Sequence, residues 1–336
     1  MILLTGATGL VGAHAALHLI EKGEKVRALY RTAESIQKTR SLFKIYEREQ
    51  LVEQIEWVQG DITDVPSLEL AVAGIDQVWH CAAMISFDRR DEEKLRKANI
   101  EGTANLVNLS LAHSVTKFCY VSSIAALGDP LRPEDFVDEE TEWNPERHHS
   151  DYAITKHGAE MEVWRAQQEG LPSVIISPGV ILGPGFWNRG SGEIFSTIAD
   201  DLPFYTQGST GFVAVTDVVD IMYKLMQSEI SGQRFAVIAQ NIIYRDLAFY
   251  IADELAVSRP TINAKPWMTE IAWIADYILS PIIRTKRKLY RDTARLLHDR
   301  TYYSNEKITA ELNYNFTDIQ SYIEQVVSLQ KRNTIT

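Results

Sequence analysis

Three glycines set between a short apolar run and a helical stretch restrict this 336-residue chain more than any other feature. Met1 to Leu4 has the length and apolarity of a buried strand. Gly6, Gly9 and Gly12 follow at three-residue intervals, and Ala13-His-Ala-Ala-Leu-His-Leu-Ile20 continues as a helix. Without a side chain at Gly6 the turn can be tight, without one at Gly9 a phosphate can approach the backbone, and a small Gly12 lets helix and strand pack closely. The helix start then offers free N–H groups and a positive dipole end to an anion, with Thr8, Leu10 and Val11 in the same cradle. The spacing is GxxGxxG, one residue wider in its first gap than the dinucleotide fingerprint, so the strand before it and the helix after it carry the assignment.

The same strand–helix rhythm persists downstream. Apolar runs at Lys25–Tyr30, Ile55–Gln59, Gln77–Cys81, Lys117–Ser122 and Ser173–Ser177 read as strands, and they are interleaved with helical tracts near 66–72, 92–113 and 151–170, the last capped by Ser150 or Asp151. Six strands so connected predict an α/β fold with a doubly wound parallel sheet over residues 1–178. Beyond Pro178 the alternation breaks. Glycines and prolines crowd residues 179–211, and helical segments follow near 215–228, 245–255, 267–297 and 318–330. Residues 179–336 therefore read as a smaller, mostly helical lobe over the cofactor edge, with a return to the sheet near 212–240 through Gln233–Ile238.

Charge and composition exclude several classes of partner. The net charge of −11 suggests no basic face, which argues against nucleic acid. Cys81 and Cys119 each adjoin an apolar run and read as buried free thiols of a reducing compartment, and Met1 already belongs to the first strand, so a cytoplasmic location is expected. His148-His149 lacks ligand spacing around it, and no metal site is assigned. The apolar tract Trp267–Ile283 precedes Arg284, Lys286, Arg287, Lys288 and Arg291. Glu270, Asp276 and Pro281 argue against a membrane span, and an amphipathic lobe helix with a solvated basic end is favoured over a membrane-surface helix.

Chemistry enters with Tyr152-Ala-Ile-Thr-Lys156. Four residues apart, the phenol and the ammonium share one helix face. A free tyrosine has a pKa of ~10, and a cation held beside the phenolate, together with the positive ring of a bound nicotinamide, is expected to lower it toward the working pH, so that Tyr152 can exchange a proton. Ser123, at a strand end, is positioned to polarise the same substrate oxygen.

Taken in order, Thr5–Gly12, Gly60-Asp61-Ile62, Cys81-Ala82-Ala83, Asn99–Thr103, Val121-Ser122-Ser123, Tyr152–Lys156 and Pro178-Gly179 resemble the extended short-chain dehydrogenase/reductase family, which has a Rossmann fold. The likeness runs to about residue 220, and Tyr303–Lys307 with Glu311-Leu312 is similar to the dihydroflavonol-reductase-like and 3β-hydroxysteroid-dehydrogenase-like branches. The resemblance implies Ser123 as the polarising hydroxyl, Tyr152 as acid/base and Lys156 as the ribose-binding cation that tunes it. It also implies that Asp61 and Ile62 flank the adenine, Ala82 and Ala83 line the middle of the cofactor, and Pro178 approaches the nicotinamide. Asn99 is read as structural. The family's mode of dimerisation, through two helices per subunit, implies a possible homodimer.

At the end of the second strand, Arg31 stands where NAD-preferring members place a carboxylate. A guanidinium suits a 2′-phosphate, so NADP(H) is expected, with NAD(H) the alternative. Leu127-Gly128 and Ser177-Pro178 lack polar residues that sugar-nucleotide members carry. Apolar candidates at Met84, Ile85, Phe87, Ile124, Ala125, Val180, Ile181, Phe186 and Trp187 point instead to a small or apolar carbonyl compound, though each is equally compatible with core. The expected reaction is NADP(H)-dependent reduction of a carbonyl, or oxidation of the alcohol. Epimerisation or dehydration at the same site, and non-catalytic dinucleotide sensing, are the rival readings.

Overall fold

A computed structural model describes the backbone of residues 1–132, 134–283 and 287–334, and the side chains of the same residues except 281–283 and 332–334. The first half runs β1 (Ile2–Thr5), α1 (Leu10–Glu21), β2 (Val26–Tyr30), α2 (Ala33–Ile45), β3 (Glu56–Gln59), α3 (Val65–Val72) and β4 (Gln77–His80). The helical tract expected at 92–113 is one rod with a defect: α4 (Glu92–Leu95) passes through a π turn over Arg96–Glu101 into α5 (Gly102–Ala112). Next come β5 (Lys117–Val121), a loop holding β6 (Phe136–Val137), α6 (Asp151–Gln168) and β7 (Ser173–Pro178). The cap of α6 is Ser150, whose hydroxyl accepts from the Ala153 N–H at 3.2 Å.

The remaining elements are β8 (Val180–Leu182), α7 (Gly192–Ala199), β9 (Phe204–Tyr205), β10 (Ser209–Ala214), α8 (Val215–Gln227), β11 (Gln233–Val237), β12 (Gln240–Ile243), α9 (Tyr244–Leu255), β13 (Ile262–Asn263), α10 (Pro266–Ile283), α11 (Arg291–Leu296), β14 (Tyr302–Tyr303), α12 (Glu306–Leu312) and α13 (Ile319–Thr334). Seven strands form one parallel sheet in the order β11-β7-β5-β4-β1-β2-β3. Every residue of β1, β5 and β7 is buried, because helices cover both faces, whereas β3 at the edge is half exposed. Strand order reverses between β1 and β4. Ligands of such sheets bind in the crevice beyond the strand ends at that point, which is where the glycine turn sits.

The later elements build on this frame. β11 pairs with β7 in parallel, and α8 packs on the α1 side of the sheet through Val218, Ile221, Met222 and Leu225. The strands β12, β10 and β8 make a separate small sheet whose apolar residues join those of α9 and α13. The single helix read over 267–297 is two helices. Asp276 of α10 accepts the Lys288 and Leu289 N–H groups at 2.9 and 3.1 Å, folding the chain back before α11 begins. Arg284 and Lys286 of the basic run lie outside the described residues. Among the described residues, no helix is long and apolar enough to cross a membrane.

Candidate active site

At the end of β1 the chain makes the turn that its glycines allow. Gly6 has φ +71°, and a Cβ there would lie 2.6 Å from the Ala82 nitrogen; at Gly12 it would lie 2.2 Å from the Gly6 carbonyl oxygen. Both positions exclude any larger residue. Gly9 differs: a Cβ would meet only the Gly6 oxygen, at 3.4 Å, so its side is open. Gly9 also caps α1 with no side-chain hydrogen bond, leaving the first amides of the helix, from Leu10 onward, without a side-chain partner. An open glycine over uncapped helix amides fits a pyrophosphate.

Beneath the turn lies a buried polar relay that no motif announced. The Thr5 hydroxyl accepts from the Ala82 N–H at 3.2 Å and lies 2.7 Å from His80 Nδ1; His80 Nε2 is 3.0 Å from the Thr103 hydroxyl, which donates to the Asn99 carbonyl at 2.6 Å. Each group is satisfied if Thr5 donates to Nδ1 and His80 carries its proton on Nε2. Burial, followed by the neighbouring Lys156, pushes the imidazole down to about 3, so it is neutral. The relay ties β1, β4 and α5 together behind the cradle.

Tyr152 and Lys156 occupy the first turns of α6, facing the end of β5. Lys156 is 1% exposed, and its ammonium donates to the Tyr120 hydroxyl and to the Val121 carbonyl, both at 2.7 Å. Burial lowers its pKa to about 7, against the pull of Glu160 one turn on. Ser123 accepts the Ala125 N–H at 3.1 Å, and its hydroxyl adjoins the Tyr152 phenol. Burial raises the Tyr152 phenol above its ordinary value, opposed by the Ser123 hydroxyl, and the Lys156 ammonium is itself buried and bound to β5. The Phe87 ring stands 6.1 Å from that of Tyr152. Asn99, in the π turn, clasps Met84 by both backbone groups, at 2.7 and 3.0 Å, and donates to the Thr155 hydroxyl at 3.0 Å.

The other expected contacts divide. Arg31 is exposed at the end of β2, and Lys38 of α2 is held below its ordinary pKa by burial and by the nearby Arg189 and Arg31 guanidiniums. Asp61 turns one carboxylate oxygen onto Thr63, accepting its N–H and hydroxyl at 2.9 and 2.8 Å. Ile62 is 8% exposed and packs on Gly102, so its side chain belongs to the core. Ala82 is half-buried, Ala83 exposed and Pro178 buried at the end of β7. Among the apolar candidates for the substrate, Phe87 reaches Tyr152 and Met84 is clasped by Asn99. Ile124 packs toward Leu127 and Val137, and Val180 and Trp187 pack in the apolar cluster of the lobe. A cavity of about 380 Å³ is lined by Gly128, Glu139, Trp143, His157 and Arg234, and by none of Ser123, Tyr152 and Lys156.

Sequence reasoning missed Tyr120, Glu160 and Arg234. Glu160 follows Lys156 by four residues, a helix-face signal that was present. It is fully buried, and Arg234 of β11 donates to it at 3.0 Å. The histidines stand apart: His148 pairs with Asp292 at 3.3 Å, and His149 stacks on Trp143 with ring centres 3.8 Å apart. Both cysteines are free.

Comparison with known proteins agrees with this architecture. The model of the NAD dependent epimerase/dehydratase family matches residues 2–238. A putative dihydroflavonol 4-reductase of Synechocystis is 26% identical, covering 96% of this chain and 92% of that protein. The sterol demethylase protein B of Methylococcus capsulatus is 27% identical over 82% of this chain and 80% of its own length. Among solved structures, that of gox2253 aligns with a TM-score of 0.81 at 25% identity, covering 99% of this chain and 98% of the other. A match that spans every strand of the parallel sheet, from β1 to the end of β11, makes the chain a member of the NAD dependent epimerase/dehydratase family and an NAD(P)-dependent oxidoreductase of the extended short-chain type.

Proposed function

We propose that the protein is an NADP(H)-dependent oxidoreductase acting on the carbonyl, or the corresponding alcohol, of a small or apolar substrate, with Tyr152 as acid/base. The observation that supports this reading is that Ser123 adjoins the Tyr152 phenol, while the Lys156 ammonium, bound at the end of β5, acts electrostatically on Cys81, whose backbone lies against Gly6 of the glycine turn. Gly6, Gly9, Gly12 and the first amides of α1, with Thr8, Leu10 and Val11 alongside, would hold the pyrophosphate. Asp61, Ile62, Ala82, Ala83 and Pro178 would border the rest of the cofactor, and Lys156 would bind the ribose. When bound, the nicotinamide supplies or accepts a hydride.

Within that arrangement the Ser123 hydroxyl donates to the substrate oxygen and polarises it, and Tyr152 gives that oxygen its proton during reduction. Lys156, one helical turn on, would steady the charge left on the phenolate. The 2′-phosphorylated cofactor is favoured because Arg31, at the end of β2, and Arg189 both act electrostatically on Lys38 of α2.

The test is an NADPH-oxidation screen over aldehydes, ketones and sterol-like substrates, followed by Tyr152→Phe. Turnover is expected to disappear with cofactor binding retained; a Tyr152→Phe protein that still turns over overturns the role. NADPH consumed in stoichiometric amount with product separates a net redox reaction from epimerisation or dehydration.

A further inference from the structure

Helix α10 is built inside out. Along its 18 residues, roughly 27 Å, Trp267, Ile271, Ile274 and Ile278 follow one another at helical spacing, with Tyr277 and Leu279 on the flanks. All six are between 43 and 64% exposed. The two buried residues among those of the helix whose side chains are described are polar instead: Thr269 lies 2.8 Å from His298 Nε2, and Ser280 donates to Asp276 at 2.8 Å. The two acidic residues of the helix are both engaged, Glu270 by the Trp273 indole N–H at 2.6 Å and Asp276 by the amides of Lys288 and Leu289. The helix contains no lysine or arginine. The outward stripe therefore exposes on the order of 500 Å² of apolar surface, at the upper end of what a monomer carries. A lobe helix with a solvated polar face would show the reverse pattern.

The sequence that follows the stripe is cationic. From Arg284 to Arg295 the sequence holds six basic residues, Arg284, Lys286, Arg287, Lys288, Arg291 and Arg295, against the single Asp292, although the chain as a whole carries −11. Of the described members, Lys288, Arg291 and Arg295 are exposed, and Arg287 lies over the Tyr277 and Tyr290 rings at 5.0 and 4.4 Å. Asp292 is occupied by His148. An apolar stripe with a basic rim in an acidic protein matches the interface of an anionic bilayer, where apolar side chains enter between headgroups and Lys and Arg meet phosphates. A second copy matches it less well. A two-fold interface sets a patch against itself, and the described rim carries more cations, Arg287, Lys288, Arg291 and Arg295, than carboxylates, Asp292 and Asp299, to meet them.

We propose that the outward face of α10 is a docking surface for an anionic membrane, on which the helix lies flat in the interface. This inference does not depend on the assignment of catalytic roles. It does place the site close to the bilayer. Arg287 and Tyr290 both interact electrostatically with Asp88, the neighbour of Phe87, whose ring faces Tyr152.

The experiment uses the full chain, mixed with phosphatidylcholine vesicles with and without phosphatidylglycerol and separated by flotation. Two double variants are compared with the wild type: Ile271→Asp with Ile274→Asp, and Lys288→Glu with Arg291→Glu. All are exposed positions, and NADPH binding followed by fluorescence reports that each variant is folded. Flotation with the anionic vesicles is expected, weakened by added salt, and either double variant should reduce the bound fraction about tenfold or more. Three results would overturn the proposal: no flotation with anionic vesicles, equal flotation with neutral ones, or flotation unchanged in the apolar double variant. A solution dimer that Ile271→Asp with Ile274→Asp splits into monomers, without vesicle binding by the wild type, would assign the stripe to a second copy and also overturn it.

Discussion

Lys156 should make the protein less stable than it would be without it. The ammonium is 1% exposed, and burial brings its pKa from 10.5 to about 7. At ~1.4 kcal/mol per tenfold change in proton affinity, keeping the cation buried at pH 6 costs on the order of 4–5 kcal/mol. Lys156→Met removes that cost. It also strips a donor from the Tyr120 hydroxyl and the Val121 carbonyl, which costs about 1–3 kcal/mol in return. The variant is therefore expected to be more stable at pH 6 by on the order of 2–3 kcal/mol, although its turnover is lost.

The pH dependence has a definite sign. Between pH 7 and 10.5 the unfolded lysine holds a proton that the folded one has released, so the wild type gains stability as pH rises, by ~1.4 kcal/mol per pH unit. The advantage of Met is complete below pH 7 and shrinks to about zero near pH 9. Thermal melts of both proteins at pH 6 and pH 9 check this, with a difference of about 3–5 °C at the lower pH for a chain of this size. A methionine variant that melts lower at both pH values, or by the same margin at each, refutes the reasoning.

Gly12→Ala would put a methyl group 2.2 Å from the Gly6 carbonyl oxygen, and NADPH binding is expected to fail in a titration while the melting temperature falls by the equivalent of about 2–4 kcal/mol. Arg31→Ala should cut the preference for NADPH over NADH about tenfold or more, measured as the ratio of dissociation constants, and equal affinities in the wild type would remove the basis of that assignment. Arg234→Gln leaves Glu160 buried without its cation and should cost about 3–5 kcal/mol. Burial already raises the pKa of that carboxyl, so the loss measured by denaturation should be largest at alkaline pH and ease as Glu160 takes up a proton in acid.

Much of the candidate site was legible because it rests on short-range pattern. The glycine intervals, the βα rhythm and the four-residue step from Tyr152 to Lys156 are properties of neighbouring residues, and helix and strand periods translate them directly into geometry. The state of those groups was not legible. That Lys156 donates to Tyr120, 36 positions away, and that burial raises Tyr152 depend on which atoms the fold brings around them. The substrate candidates show the same limit. Phe87 and Trp187 are alike in a sequence, yet one faces Tyr152 and the other packs against Phe195.

The sequence by itself determined the parallel sheet, the glycine turn at its switch point and the helix that carries Tyr152 and Lys156, since each follows from local periodicity and from what glycine alone permits. Only the tertiary structure decided the burial and partners of Tyr152 and Lys156, the Thr5–His80–Thr103 relay and the outward turn of α10. Desolvation and partnership are set by contacts between residues distant along the chain, and an apolar period looks the same whether it faces a core or the outside.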